Sequence, residues 1–452
     1  MAIFWCVFVA AATIRVWQSF FVGAPDIGDC VSKPVQGVGH ITEEPSRTAT
    51  GQVLVVSESS MSAAGDCGSG LLIRIKTKVY PAFSYDDHVS FTGKLLKPMN
   101  FQSGDDGRTF DYQGYLAKDD IYYEMKSAVV ARIDPVVTDD AHTGLMASVG
   151  QKIVSALFRI KHSFVDVLDR TLGEPQAALA AGLVVGEKAS LGKDLINDFR
   201  TVGLIHIVVL SGFNITIVAD AIRRMLSRLP RLWGIAIGGI GIALFGVLVG
   251  GGATVIRSCF MAGVALSADV IRRDYNVVRA LMLAGLLMII QSPMILLHDV
   301  SFQLSFLATM GLILLASPIE MRLGFITETF CLRGIVASTF ATQIFVSPFI
   351  LYTMGQISII GVVVNILVLP FIPVTMLAVF LTGAVGMVYL PIAQVIAWAA
   401  HLLLSYELFL VTHFARLPFA AAHVDTFSVW WVVGFYAVFG IGYVVTSRIQ
   451  RK

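Results

Sequence analysis

Residues 334–406 read GIVASTFATQIFVSPFILYTMGQISIIGVVVNILVLPFIPVTMLAVFLTGAVGMVYLPIAQVIAWAAHLLLSY, seventy-three consecutive positions without an Asp, Glu, Lys or Arg. A helix that crosses a bilayer needs about 20 apolar residues. This stretch therefore holds at least three crossings, at 334–353, at 357–389 in one or two pieces, and at 391–412. Pro370 and Pro373 interrupt the middle piece, so a bent or re-entrant pair is expected there. Further charge-free runs lie at 201–219, 232–256, 280–298, 300–319 and 426–447, while 258–268 is apolar but short. The run 2–22 reads as a retained N-terminal transmembrane helix within 1–23. A signal peptide is the competing reading, but no basic residue precedes its apolar run. The whole chain of 452 residues is 56% hydrophobic and 14% charged, against about 25% charged in soluble domains. The expected fold class is a polytopic α-helical membrane protein.

The charges are segregated. Residues 24–202 carry 18 Lys+Arg and 23 Asp+Glu, whereas 203–452 carry 14 and 8. The first segment reads as water-facing and the second as a membrane body. A net charge of +2 excludes a simple polybasic nucleic-acid binder. Arg223, Arg224, Arg228 and Arg231 fall between two runs, Arg272, Arg273 and Arg279 two runs later, and Arg322 and Arg333 two runs after that. By the positive-inside rule these loops are cytoplasmic. Residues 24–202 are then extracytoplasmic, and 448–452 forms a basic cytoplasmic tail. The expected location is the bacterial inner membrane, with many passes.

Residues 26–140 carry β signals. GLLIRIKTKV (70–79) and HVSFTGKLL (88–96) alternate apolar and polar side chains, the pattern of half-buried strands. Residues 51–58 and 121–132 read as further strands. Four to six short strands in so short a segment suit an extracytoplasmic small β-barrel, OB-like. Its charge disfavours a nucleic-acid groove of the usual basic kind, leaving Arg74, Lys76 and Lys78 as a local contact for a polyanion. Cys30 and Cys67 are its two cysteines, and they either pair as a disulfide or stay free thiols. Residues 151–173 space their apolar side chains as an amphipathic helix on the membrane or against the spans. With a short helix from Gln176 they form a junction, 151–200, before the multi-span domain 201–447.

Polar groups inside a membrane body are costly and mark a path, a partner or a helix contact. His206, Ser211, Gly212 and Asn214 share one run, with Ser-Gly-Phe-Asn as an expected kink. Gly250-Gly251-Gly252 marks an outer turn and puts Arg257 about one turn into the returning helix, where it snorkels or offers charge to an anion. Asp299 and Gln303 are i,i+4, with Ser305 beside them. Gln343, Asn365 and Glu407 complete the set, and Glu407 must be paired, protonated or wet. These residues are pore or path candidates, and helix–helix hydrogen bonding is the alternative reading. No metal-ligand cluster, nucleophile elbow or Walker motif is present, so neither catalysis nor a cofactor is expected.

Five collinear blocks carry a resemblance. AGLVVGEKASLGKDLINDFRTVGLIHIVVLSGFNIT (181–216) is similar to the core signature of the ComEC-type competence protein family. So are Arg257-Ser258-Cys259-Phe260-Met261, Asp299 to Ala308 (DVSFQLSFLA), Thr342-Gln343 through Asn365-Ile366-Leu367 to Pro370, and Phe110 to Ala117 (FDYQGYLA). Many relatives have His where this chain has Asn214 and Gly where it has Ser301. The first difference puts a proton role at 214 in doubt. The sequence reaches Lys452 without the metallo-β-lactamase-like domain of many members, so strand degradation is expected of a separate protein. The resemblance implies a channel that passes single-stranded DNA into the cytoplasm during natural transformation. A separate DNA receptor, nuclease and cytoplasmic motor, with membrane lipid around the chain, are the implied partners, and a homo-oligomer is left open. The alternative is a secondary transporter of a smaller solute.

Overall fold

The computed structural model describes residues 13–18, 25, 27, 30–48, 51–62, 70–102, 107–133, 145–187, 191–208, 211–228, 230–271, 276–326 and 332–449. The alternating segments become strands: β1 (Pro34–Ile41), β2 (Ser46–Thr48), β3 (Gly51–Ser62), β4 (Leu72–Thr77) and β5 (His88–Leu96). They are followed by β6 (Phe101–Gln102), β7 (Thr109–Phe110), β8 (Ile121–Met125) and β9 (Val129–Arg132). The stretch 121–132 is therefore two strands rather than one, divided at Ser127, whose φ of 59° turns the chain.

Strands β1, β3, β4, β8 and β5 pair in that order, and β1 pairs β5 to close the ring. All contacts are antiparallel except β4–β8, which is parallel. This is a closed small barrel with OB-like strand order. Inward positions of the alternation fill it: Leu54, Val56, Ile73, Ile75, Val89, Phe91 and Leu95 are all fully buried. Each contributes about 1.5–3 kcal/mol of burial. Cys30 is buried beside this core and disulfide-bonded, while Cys67 lies outside the described residues. Helix α1 (Tyr112–Ala117), capped by Asp111, covers the outer face of β3, β4 and β8 through Tyr112 and Leu116. Arg74 of β4 is drawn to it, bonding the Tyr112 hydroxyl.

Helix α2 (Leu145–Leu172) is the amphipathic junction and α3 (Gln176–Val185) is buried along its length. Then come α4 (Lys193–Thr201), α5 (Ile205–Val208), α6 (Gly212–Met225), α7 (Arg231–Leu248), α8 (Ala253–Ile271) and α9 (Val277–Gln291). The run 201–219 is not one helix. Its polar Ser211 is extended (φ −105°, ψ 169°) and caps α6 by accepting from the Phe213 N–H, as Ser does where helices begin. The run 280–298 also breaks, after Gln291, before the short α10 (Ile295–His298). Gly250 and Gly251, at φ 93° and 61°, make the turn between α7 and α8. That puts Arg257 in the second turn of a helix longer than the apolar run 258–268 suggests.

Helices α11 (Val300–Arg322), α12 (Leu332–Met354) and α15 (Leu390–Ala415) are long and apolar enough to cross a membrane. So are α13 (Gly361–Val368) and α14 (Ile372–Gly386) taken together, bent by 51°. Pro373 sits in the first turn of α14, where its missing N–H costs nothing. The short β10 (Gln356–Ser358) pairs β11 (Ala421–His423) before α16 (Val429–Ile449). The largest core joins α2 and α3 to α13, α14 and α15. Gly383 is required there: a Cβ would lie 2.1 Å from the Phe164 ring of α2. Of the N-terminal run, 13–18 is helical, and the rest of 1–23 lies outside the described residues, apart from which the tail is described to Ile449.

Candidate functional site

Two of the sequence blocks, and the residue that directly follows a third, meet at Arg257. The residue is 8% exposed, and its guanidinium lies against Gly212, where a Cβ would come within 2.7 Å of Nη2. Only a residue without a side chain lets the cation approach the start of α6 so closely. Nη1 donates to Thr309 Oγ1 of α11 at 3.3 Å and faces Met261 Sδ at 3.3 Å. The Thr309 hydroxyl donates in turn to the Ser305 carbonyl at 2.8 Å. A helix start carries partial positive charge and outward N–H groups. A buried cation at that end adds to the field, so the pair attracts anions.

Asn214, two residues further along α6, is fully buried. Its Nδ2 donates to the carbonyls of Leu183 (3.3 Å) and Ile207 (3.0 Å). It ties α3 and α5 to α6 across the break that leaves the α5 carbonyls without helical donors. His206 turns back on its own backbone, with Nδ1 3.0 Å from the Gly203 carbonyl.

Asp299 is 3% exposed and caps α11 by accepting from the Phe302 N–H at 3.0 Å. Its other oxygen accepts from Lys118 Nζ at 2.6 Å. The pairing of Arg257 with Asp299 or Glu407 that a shared interior would require is absent. Asp299 has Lys118, ten residues and about 15 Å along α11 from Thr309, and Glu407 accepts from Thr375 Oγ1 of α14 at 2.6 Å. Glu407 thus belongs to the α14–α15 contact, while Arg257 belongs to α6, α8 and α11. Gln303 Nε2 closes the carbonyls of Leu296 (2.8 Å) and Leu297 (3.1 Å) at the end of α10. Gln343 Nε2 donates to the Ser358 carbonyl at 3.2 Å. Asn365 is 7% exposed, and its Oδ1 is buried with no hydrogen-bond partner among the described residues.

Among the described residues, polar contacts fasten the barrel to α2 and the membrane body at three places. Lys118 follows α1 and holds Asp299, while Ser292 Oγ donates to the Lys118 carbonyl at 2.6 Å. Burial opposes charge on Lys118, but the hydrogen bond and attraction from Asp299, with Asp119 nearby, outweigh it and raise its pKa. Arg108, on the β6–β7 arm, donates to the carbonyls of Val424 (2.8 Å), Leu351 and Tyr352 (both 3.3 Å). It places a cation at the carbonyl end of α12, the favourable polarity. Glu44 of the barrel accepts from the buried Lys161 of α2 at 2.6 Å, with His162 at 3.1 Å and Glu187 also near Lys161 at 3.4 Å. Burial alone would raise the Glu44 pKa; His162 and Lys161 outweigh it and lower it. Sequence reasoning missed Lys118, Arg108, Thr309 and Thr375. Lys118 directly follows the block FDYQGYLA, which was the available signal. Thr309 likewise follows DVSFQLSFLA directly, whereas Thr375 looks like an ordinary helix position that nothing in the sequence marks.

Residues 183–449, more than half of the chain, match the family model described as Competence protein. The chain belongs to the competence protein family. The matched range starts at the end of α3 and contains every polar membrane-body residue discussed above; the barrel precedes it. ComE operon protein 3 of Bacillus subtilis (strain 168) is 24% identical over 325 residues, covering 71% of this chain and 38% of that protein. The chain therefore spans well under half the length of this curated relative. No solved structure matches. The family, the relative and the apolar helices make this a membrane protein with a role in competence.

Proposed function

We propose that this chain is a channel, not an enzyme, and passes single-stranded DNA through the cytoplasmic membrane, with the barrel and α2 on the outer side. The observation that carries the reading is the meeting of buried Arg257 with the start of α6 at Gly212. A strand brings one phosphate per nucleotide, and its passage needs cationic and N–H-bearing stations in an apolar body. Family membership supports the same reading. The face of the barrel that OB folds commonly offer to oligonucleotides, β3–β4 here, is covered by α1. Receiving the strand is accordingly assigned to a separate protein.

The test is uptake of labelled DNA in a strain deleted for this gene and complemented with variants. Arg257→Gln should lower uptake about tenfold, the loss of roughly 1.4 kcal/mol of phosphate contact. Gly212→Val, which pushes the guanidinium off the helix start, should do the same. Phe260→Ala, at an exposed neighbour of Arg257, should leave uptake unchanged. Normal uptake in both site variants at normal abundance rejects the reading. A second reading, a cation-coupled transporter of a smaller anion, is favoured by the bent α13–α14 pair and the unpartnered Asn365 Oδ1. It predicts normal DNA uptake with altered solute flux in Asn365→Ala.

A further inference from the structure

On α2, Arg159, Ser163, Asp166 and Arg170 follow at steps of four, three and four residues and so share one face. That face lines a groove of about 600 Å³ whose other wall is Gly386 and Met387, at the turn from α14 to α15. All four polar side chains are exposed. Neither arginine has an ion-pair or hydrogen-bond partner among the described residues. The groove is amphipathic across its width. Ile160 and Met387 are 50% and 43% exposed inside it, and the adjoining Val388 and Tyr389 are 89% and 54% exposed.

Apolar side chains this bare, in a chain that crosses a membrane, face acyl chains, and a Tyr beside them marks the level of the headgroups. Two free guanidinium groups at that level are positioned for phosphate, which Arg binds through paired N–H donors. Ser163 and Asp166, between them, add acceptors for a hydroxyl or ammonium group. We propose that this groove is a binding site for an anionic phospholipid, with phosphate held by Arg159 and Arg170 and the acyl chains against Ile160, Met387 and Val388. A DNA strand fits less well. The bare aliphatic side chains of Ile160, Met387 and Val388 beside the arginines suit acyl chains and offer a polynucleotide nothing to stack on or pair with. Lys161, on the opposite side of α2, is held by Glu44 and Glu187. The lipid would thus meet the same helix that carries the barrel.

The experiment is native mass spectrometry of the full chain, reconstituted in vesicles of phosphatidylglycerol and phosphatidylcholine and then extracted in mild detergent. Wild type should retain phosphatidylglycerol over phosphatidylcholine. The Arg159→Gln/Arg170→Gln variant should lose that retained lipid about tenfold while eluting as a monodisperse species. Arg228→Gln, an exposed arginine elsewhere, should not. Equal retention in the double variant overturns the proposal, as does equal retention of the two lipids by wild type. So does a double variant that keeps its lipid and loses only affinity for a labelled single-stranded oligonucleotide.

Discussion

At the scale of single residues, Asn214 and Arg257 separate two things a buried polar group can do. Asn214 spends its amide on two carbonyls. Asn214→Ala leaves both without donors, at about 1–3 kcal/mol, and should lower thermal stability while uptake per folded molecule stays near normal. Arg257→Gln should show the opposite split. A loss of uptake in Asn214→Ala at unchanged stability would return Asn214 to the conducting path. The sequence marks both residues as out of place in an apolar run, but it cannot say which is tied off. That depends on Leu183 and Ile207, whose carbonyls are open to Asn214 because α3 ends at Val185 and α5 ends before Ser211. Likewise Asp299 stands out in the sequence, yet its cation lies 181 residues away on the barrel. Pairing across that separation leaves no local pattern.

At the scale of elements, the seat of α2 on α14 depends on a missing side chain. Phe164 fills the space above Gly383. Gly383→Ala forces the ring aside and should cost about 1–3 kcal/mol. Phe164→Ala empties the site at about 3–5 kcal/mol. The double variant should be more stable than the sum of the two losses implies, because the added methyl occupies part of the vacated space. Strict additivity in thermal unfolding would deny the contact. The elements themselves were legible wherever periodicity was clean. His88–Leu96 alternates at period two and the apolar stripe of α2 follows helical spacing. The runs 201–219 and 280–298 misled because hydropathy records that residues are apolar, not that the backbone is continuous. Breaks at Ser211 and before Pro293 are decided by capping and proline chemistry.

At the scale of the whole molecule, two outcomes follow from the docked barrel. Lys97 and Arg228 are exposed and belong to opposite sides of the expected topology. Lys97→Cys should react with an impermeant thiol reagent in intact cells, and Arg228→Cys only after permeabilisation. The reverse pattern would invert the orientation. The second outcome is a pH dependence. Glu44 has its pKa lowered below the ordinary 4.5 in the folded chain. Its contribution to docking is complete above that value and is lost as pH falls through the lowered one. Protease protection of the barrel–α2 junction should therefore weaken in acid below about pH 4.5. The weakening should be absent in Glu44→Gln, whose junction is loosened at every pH.

The three fastenings of the barrel also have a mechanical meaning. Arg108 reaches α12, Lys118 the cap of α11, and Lys161 of α2 the barrel's Glu44. A domain held at three separate contacts resists swinging more than one hung from a single tether. If a strand is hauled through this chain, tension is therefore shared among the anchors in parallel instead of stretching a tether. The barrel then works as a fixed turret over the helices: incoming polymer must find its angle of approach, and releasing one anchor should add play long before it lets the turret come away.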